Sequence, residues 1–241
     1  VSMKKAFKKF VKKLPIDFIK DRRYDALIKK IMRIVLEKDS SFIDVGCHKG
    51  DFLIEANKFA ASGSHVGFEP IPYFYNKVIK TFGEVNDIRQ LALSNERGET
   101  TFNYVKSNPL YSGIKKRNYP GKESIEELNI KVDTLDNQLF KSSRVDLIKI
   151  DVEGAELNVL RGGFNTITKF NPVIVFEYEL GASDMYGATP VEMWNFFDKV
   201  KYSIYTLKNF IESPLPLSFA EFTEIYNSKN EHYFVARFRS L

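Results

Sequence analysis

The sequence predicts an α/β fold in which a mostly parallel sheet carries helices on both faces. Short apolar runs alternate with segments of helical periodicity along the 241 residues. Three of these runs stop at an acid, namely Glu69, Asp151 and Glu177. Because the carboxyl ends of parallel strands meet at one edge of the sheet, where ligands bind in open α/β folds, these acids predict a site at that edge.

Composition limits the class of protein. With 44% hydrophobic residues the chain can bury one full core, so residues 40–241 are predicted to form a single domain after a helical segment at 3–36. A net charge of +5 permits an anionic partner, but nothing indicates DNA binding. The single cysteine, Cys47, cannot form an internal disulfide, and no apolar run approaches the roughly 20 residues of a membrane span. We therefore expect a cytoplasmic protein.

The amino-terminal segment predicts two helices. From Met3 to Leu14 apolar residues recur at helical spacing, and lysines fill the other face. Such a helix could lie on the anionic inner face of the membrane or dock a partner, or it could cover the core of its own domain. Pro15 ends it. A second helix, about Tyr24–Leu36, should pack on the sheet through Leu27, Ile28, Ile31, Ile34 and Val35.

The first strand, Ser41–Val45, runs into a glycine turn and then into a helix over Asp51–Ala61. A turn of this kind brings backbone N–H groups and the amino end of the helix against a ligand. The dinucleotide pattern would need glycines at 46, 48 and 51, and the P-loop would need a Lys-Ser/Thr pair, so both patterns fail. What remains is Asp44-x-Gly46-x-x-x-Gly50, which has an acid inside the turn.

The next strand, His65–Phe68, ends at Glu69, roughly 20 residues after the turn, where a carboxylate can accept both hydroxyls of a ribose. A ribose without pyrophosphate glycines suggests a nucleoside. Asp44 would then face a cationic group, which suits the amino group of a methionine. Together these features point to S-adenosylmethionine, with S-adenosylhomocysteine as its product, and Gly46 and Gly50 would allow its close approach. The competing interpretation is a fold whose acids are only strand caps.

The central unit is the apolar run Val145–Ile150, which is followed by Asp151, a turn at Gly154 and a helix that ends near Gly163. Lys149, inside this run, is predicted to pair with a neighbouring acid as a structural ion pair.

Three acids are candidates for the chemistry. Asp151 and Glu153 could act as a base or orient an acceptor, and Glu177, at the end of the strand over 172–177, is the third. A carboxylate is a useful base only if its pKa is raised, which apolar walls or a second acid could do. The same acids could hold Mg²⁺, but the sequence defines no ligand geometry, and we assign no metal.

The remaining elements complete the sheet. They are a helix over Tyr73–Phe82, strands near Ile88–Leu91, Thr100–Val105 and Ile130–Val132, a helix over Pro190–Val200, and strands over Tyr202–Leu207 and His232–Phe238 with a helix near Phe219–Tyr226 between them. Ala92 should begin a loop beside an adenine, and the loop Tyr178–Pro190 should form a wall of an acceptor pocket. In the loop Ser107–Ser124 the side chains of Lys115, Lys116 and Arg117 could bind an acidic or phosphorylated glycan, or could simply be solvated.

Five blocks of the chain resemble, in order, those of the FkbM-type methyltransferases. They are Phe42–Gly50, Phe68–Pro70, Leu91–Ser94 with Gly98, Val132–Asp136 and Asp146–Glu156. The resemblance covers about Ser40–Glu177. It implies a Rossmann-like, class I S-adenosylmethionine-dependent fold with a seven-stranded sheet and an antiparallel carboxyl-terminal strand. It also implies that the cofactor is contacted by Asp44, Gly46, Cys47, His48, Gly50, Glu69, Pro70, Ala92 and Asp151.

The family implies methylation of a sugar or natural-product hydroxyl. We therefore predict an O-methyltransferase acting on a carbohydrate or a related small-molecule acceptor. Many members of the family resemble one another in having Ala-Asn at the position where this chain has Cys47-His48. A lone histidine beside a cofactor turn serves more often in packing or hydrogen bonding than as a base. The alternatives are a methyltransferase acting on RNA or protein, and a non-catalytic scaffold that binds the nucleoside.

Overall fold

The computed structural model describes residues 16–119 and 121–239. The basic helix predicted over Met3–Leu14 lies outside these residues and stays a prediction. None of the described helices is both long and apolar enough to cross a membrane.

The strands form two sheets. In chain order they are β1 (Phe42–Val45), β2 (His65–Phe68), β3 (Asp87–Arg89), β4 (Ala92–Leu93), β5 (Gly98–Val105), β6 (Ile125–Asp133), β7 (Leu147–Ile150), β8 (Val173–Glu177), β9 (Tyr202–Thr206) and β10 (Tyr233–Phe238). The larger sheet has the order β3-β2-β1-β7-β8-β10-β9, and the smaller has the order β4-β6-β5. In the larger sheet the five neighbouring strands β3, β2, β1, β7 and β8 are parallel, while β10 is antiparallel to both strands beside it, β8 and β9. The predicted mostly parallel, seven-stranded sheet with an antiparallel carboxyl-terminal strand is confirmed.

Helices cover both faces of the larger sheet, as predicted. They are α1 (Ile16–Val35), α2 (Asp51–Phe59), α3 (Pro72–Phe82), α4 (Leu135–Gln138), α5 (Glu156–Gly162), α6 (Phe164–Phe170), α7 (Pro190–Lys199), α8 (Leu207–Glu212) and α9 (Phe219–Ser228). On one face α1, α2, α3 and α8 bury side chains such as Ile28 and Leu53. On the other face α5, α6, α7 and α9 bury side chains such as Leu160 and Phe222. The two cores hold the strands from both sides.

The helix predicted at Tyr24–Leu36 starts earlier than expected, since α1 begins at Ile16. Its buried inner face consists of Tyr24, Ile28, Ile31 and Met32. Ile34, which we predicted on that face, is 58% exposed. The prediction misplaced the buried face around the helix axis. Ile34 lies about 200° around the helix from Met32 and therefore faces away from the core.

The insertion before the central strand is a sheet of its own. Ala92 begins no loop, because Ala92–Leu93 pairs in parallel with Val132–Asp133 of β6. The hairpin of β5 and β6 is longer than predicted, and its register runs from Gly98 opposite Val132 to Val105 opposite Ile125. The short helices α4, α6 and α8 are also absent from the sequence prediction, because one or two turns contain too few apolar positions to establish a period.

Thr189 caps α7 with reciprocal hydrogen bonds: its hydroxyl accepts the Glu192 N–H, and its own N–H donates to the Glu192 carboxylate. Thr189→Ala should lower the free energy of unfolding by about 1 kcal/mol and the Tm by about 2–4 °C in a thermal melt. Thr81→Ala is the matched control, because the exposed Thr81 hydroxyl donates only to the Lys77 carbonyl of its own helix. An equal loss of Tm in both variants would contradict the capping role.

Candidate active site

A cavity of about 1030 Å³ opens at the carboxyl edge of the larger sheet. It lies over the ends of β1, β2, β7 and β8, and its walls come from the turn after β1, the loop of the β5–β6 hairpin, the loop after β8, the start of β10 and α1. Small-ligand pockets usually enclose roughly 300–1000 Å³. The cavity is therefore large enough for two ligands side by side.

The turn after β1 depends on left-handed backbone. Gly46 has φ 79°, and a Cβ atom there would lie 2.0 Å from the carbonyl oxygen of Asp151, so only glycine fits. His48 and Gly50 also have positive φ, 47° and 78°. Gly46 lines the cavity, whereas Gly50 does not, and a side chain at Gly50 would meet the Phe82 ring. Gly46 thus brings the turn to a ligand, while the predicted contact of Gly50 with a ligand is replaced by a role in starting α2.

Glu69 holds this turn in place. Its Oε2 accepts the N–H of His48 at 2.9 Å, and its Oε1 accepts the N–H of Ile71 at 2.8 Å. The residue is 4% exposed, and burial raises its pKa to about 7 against the effect of the two donors. Glu69 and Pro70 line the cavity. Because each carboxylate oxygen retains a lone pair, a ligand with two neighbouring hydroxyls could bind here.

Cys47 and His48 contribute packing at this end of the cavity. Burial raises the pKa of the Cys47 thiol well above its usual value, so the thiol stays protonated and unreactive. The His48 ring lies 4.0 Å from the Phe74 ring, and burial, assisted by the charge of Lys49, lowers its pKa to about 4. A neutral, ring-packed histidine fits the packing role better than that of a general base.

Lys149 lies between two carboxylates inside the sheet. Its Nζ is 3.6 Å from Asp44 Oδ1 and 3.0 Å from Asp151 Oδ2. The Lys149 side chain is 3% exposed and that of Asp44 is 0% exposed. The structural ion pair predicted for Lys149 is confirmed. Lys149 is the cationic neighbour of Asp44, and Asp44 does not line the cavity, while its predicted contact with a methionine amino group stays a prediction.

Asp151 is a charged carboxylate at the tip of the central strand. Its Oδ2 accepts hydrogen bonds from Lys149 Nζ and, at 2.7 Å, from the Tyr233 hydroxyl. Burial acts to raise the pKa of Asp151, but the Lys149 charge and the hydrogen bonds outweigh burial and hold the pKa below its usual value. The side chain remains 24% exposed and lines the cavity. A ligand can therefore reach an ionised carboxylate at this point.

Glu153 and Glu177 lie beside Asp151, with one oxygen of each acid within 4.8 Å of the others. Burial raises the pKa of Glu153 well above its usual range, although Arg117 opposes the shift. Burial and the charge of Asp151 do the same to Glu177. A divalent cation could bind such a trio. However, Arg117 and Lys149 already neutralise two of the three acids, so the geometry requires no metal and we assign none.

The basic loop of the hairpin is engaged within the protein. Arg117, whose side chain is 8% exposed, places NH2 2.5 Å from Glu153 Oε2 and NH1 3.6 Å from Glu179 Oε1. Lys116 Nζ lies 2.8 Å from Glu127 Oε1. Two of the three cations that we expected to grip an acidic glycan thus have carboxylate partners of their own, and Arg117 joins the loop to the edge of the sheet.

The remaining predicted residues also line the cavity. Ala92 lies in its wall, as do Glu179 and Tyr186 of the loop predicted to border an acceptor. The sequence does not predict Tyr233, which stands opposite Glu177 in the ladder between β8 and β10. No local pattern marks Tyr233, because its place depends on β10 inserting beside β8.

A sequence model described as "Methyltransferase FkbM domain" matches residues 44–204, well over half of the chain. The match confirms the resemblance to that family. No curated protein sequence matches significantly.

Solved structures give further similarities. A methyltransferase FkbM from Methylobacillus flagellatus KT is 14% identical with a TM-score of 0.49, and the similarity covers 70% of this chain but only 40% of that protein. A precorrin-6y C5,15-methyltransferase from Geobacter metallireducens GS-15 is 10% identical with a TM-score of 0.48, over 90% of this chain and 88% of that one. An rRNA methylase from Streptococcus thermophilus is 9% identical with a TM-score of 0.44, over 88% and 95% of the two chains.

The contact between Arg117 and Glu153 should stabilise the fold. Arg117→Met should lower the free energy of unfolding by about 2 kcal/mol, because Glu153 loses its counter-ion. This is less than the roughly 3–5 kcal/mol typical of a fully buried pair, since 19% of the Glu153 side chain is exposed. Urea denaturation would measure the loss. The double variant Arg117→Met/Glu153→Gln should recover more than half of it.

Lys116→Met is the matched control for this prediction. Lys116 and Glu127 are 57% and 59% exposed, so their pair is screened by water and its loss should change stability little. Comparable losses in Arg117→Met and Lys116→Met would show that burial of the Arg117 pair is not what matters.

Proposed function

Because the chain belongs to the FkbM methyltransferase family, we propose that it transfers the methyl group of S-adenosylmethionine to a hydroxyl of a carbohydrate or a related small-molecule acceptor. The observation that carries this proposal is one continuous cavity with a nucleoside-type end at Glu69 and an acid-lined end at Asp151. One end suits the cofactor, and the other suits a hydroxylated acceptor.

The residues present fit the cofactor. Buried Glu69 keeps lone pairs for two ribose hydroxyls, and the Gly46 turn leaves no side chain between the backbone and a ligand. Pro70 and Ala92 would border the nucleoside, since both line the cavity near Glu69. The methionine amino group would meet backbone carbonyls of the turn, because Asp44 is paired with Lys149 and does not line the cavity.

When bound, the cofactor supplies an electrophilic methyl group on a positively charged sulfur. The protein's part is to hold an acceptor oxygen in line with that methyl group and to take up the hydroxyl proton. Asp151 is the ionised acid of the trio, so it can accept a hydrogen bond from the acceptor hydroxyl and take its proton as the new carbon–oxygen bond forms. Its lowered pKa differs from the raised pKa that we expect of a base, so Asp151 acts through its position and charge more than through its basicity. Glu177, whose pKa is raised and which has no ion-pair partner among the described residues, can instead donate a hydrogen bond, to Asp151 or to a neighbouring acceptor oxygen.

Calorimetric titration with S-adenosylmethionine, S-adenosylhomocysteine and NAD in parallel tests the cofactor. Binding of the two adenosyl ligands without a response to NAD is expected. Folded protein that binds neither would remove the methyltransferase proposal. A screen with labelled cofactor would then compare neutral glycans, RNA and protein as acceptors. Labelling of RNA or protein alone would favour that alternative, and cofactor binding without any transfer would favour the non-catalytic scaffold.

The role of Asp151 predicts a split between binding and turnover. Asp151→Asn should lower the turnover of a glycan acceptor by roughly 10²–10⁴-fold, the usual contribution of a positioned proton acceptor. Cofactor affinity, measured by calorimetry, should fall far less. Equal losses in both quantities would move Asp151 from the acceptor side to the cofactor side.

The pKa of Glu69 gives a pH dependence with a defined sign. Ribose hydroxyls donate more strongly to a carboxylate than to a neutral acid, and Glu69 ionises at about 7. The affinity for S-adenosylmethionine should therefore rise between pH 6 and pH 8. Glu69→Gln should remove this rise and weaken binding by about 1.5–3 kcal/mol. Unchanged affinity in Glu69→Gln would remove the ribose assignment.

A further inference from the structure

Tyr233 contacts Asp151 from outside the segment that matches the family. It is the first residue of β10, whereas the match ends at residue 204. Its hydroxyl donates to Asp151 Oδ2 at 2.7 Å, which is a short, well-formed bond to a charged acceptor. The two residues are 82 positions apart in the chain, so only the insertion of β10 beside β8 brings them together.

The carboxylate of Asp151 is held firmly at one oxygen. Oδ2 accepts from both Tyr233 and Lys149, and the carboxyl group of Glu177 shares a further hydrogen bond with Asp151. Because the side chain is 24% exposed and lines the cavity, a ligand can still reach this carboxylate.

The Tyr233 ring is itself held in place by α1. Its centroid lies 5.1 Å from that of Tyr24, which is 2% exposed. The Tyr24 hydroxyl donates to Glu231 at 2.8 Å and accepts the N–H of His232 at 3.3 Å. These contacts tie α1 to the residues just before Tyr233, so the direction of the phenol is set by packing on both sides.

We infer that Tyr233 is a positioning residue for Asp151: with Lys149 it fixes Oδ2, and it thereby sets the orientation in which the carboxylate meets a bound acceptor. Without the Tyr233 hydroxyl, the carboxylate of Asp151 could rotate about its bond to Cβ and keep its contact with Lys149 through either oxygen. The catalytic consequence rests on the function proposed above, whereas the effect on Asp151 itself does not.

Several charged or titratable groups act on Asp151, and a test must separate Tyr233 from them. They are Lys149 of β7, Asp44 of β1, Glu177 of β8, Glu153 of the turn after β7, Glu156 of α5, His48 of the glycine turn, Asp25 of α1 and Tyr233 of β10. Tyr233→Phe changes the last of these and leaves the ring that packs on Tyr24. The variant should therefore fold.

The experiment is a carbon NMR titration of the full chain labelled at the aspartate side-chain carboxyl carbon, without cofactor or acceptor. The Asp151 signal is identified by its loss in Asp151→Asn. In Tyr233→Phe the pKa of Asp151 should rise by about one unit, because a hydrogen bond to the charged form is lost. Tyr202→Phe is the matched control, since the buried Tyr202 hydroxyl donates to the Pro172 carbonyl and lines no part of this cavity.

Three outcomes decide the inference. A rise in Tyr233→Phe with no change in Tyr202→Phe supports it, and an unchanged Asp151 pKa or equal shifts in both variants overturns it. With an acceptor from the screen, turnover should also fall about tenfold while cofactor affinity stays within about twofold, a split that a merely structural tyrosine would not produce. If no methyl transfer is found at all, the NMR result still stands, so failure of the proposed function and failure of the positioning role are distinguishable.

Discussion

The buried charge of Lys149 is the constraint on which the site depends. An ammonium group removed from water is tolerated only with close carboxylate partners, and Lys149 has Asp44 and Asp151 at 3.6 and 3.0 Å. Lys149 and Asp44 are register partners on the adjacent strands β7 and β1. The requirement for charge pairing therefore favours one register between these two strands. Asp151 follows β7 directly, and its contact with Lys149 holds its carboxylate at the end of that strand.

Burial and pairing together give neighbouring acids different charges. Asp151 stays ionised because Lys149 and Tyr233 offset its burial. Glu177 forms no ion pair with another of the described residues, and burial raises its pKa. Arg117 enters from the hairpin loop and opposes the effect of burial on Glu153. One group of acids thus contains a charged carboxylate, Asp151, beside a carboxyl that can donate a hydrogen bond, Glu177, which suits an acceptor with several hydroxyls.

Residues of the site that are close in sequence were predictable, and those brought together by topology were not. The Gly46 turn, Glu69 and Asp151 each follow a strand directly, so a strand pattern and a turn residue are enough to place them at the edge of the sheet. Asp44 lies within β1, and its pairing with Lys149 belongs to the register between strands, which periodicity along one strand does not reveal. The sequence leaves Arg117 either as a ligand-binding cation or as a solvated one, because its partner, Glu153, lies 36 residues away.

The two ends of the cavity differ in how much of their lining comes from the segment that matches the family. The end that we propose for the cofactor is built from the ends of β1 and β2 and the turns that follow them, and these residues lie within the segment that matches the family. At the acceptor end Tyr24 and Tyr233 come from α1 and β10, outside that segment, and Arg117 comes from a loop inserted before the central strand. Family membership therefore constrains the cofactor more strongly than the acceptor. An acceptor in this cavity would meet α1, β10 and the hairpin loop as well as Asp151, Glu153 and Glu177, which lie inside the matched segment. The charged contact between Asp44, Lys149 and Asp151 holds Asp151 at this place whatever the acceptor.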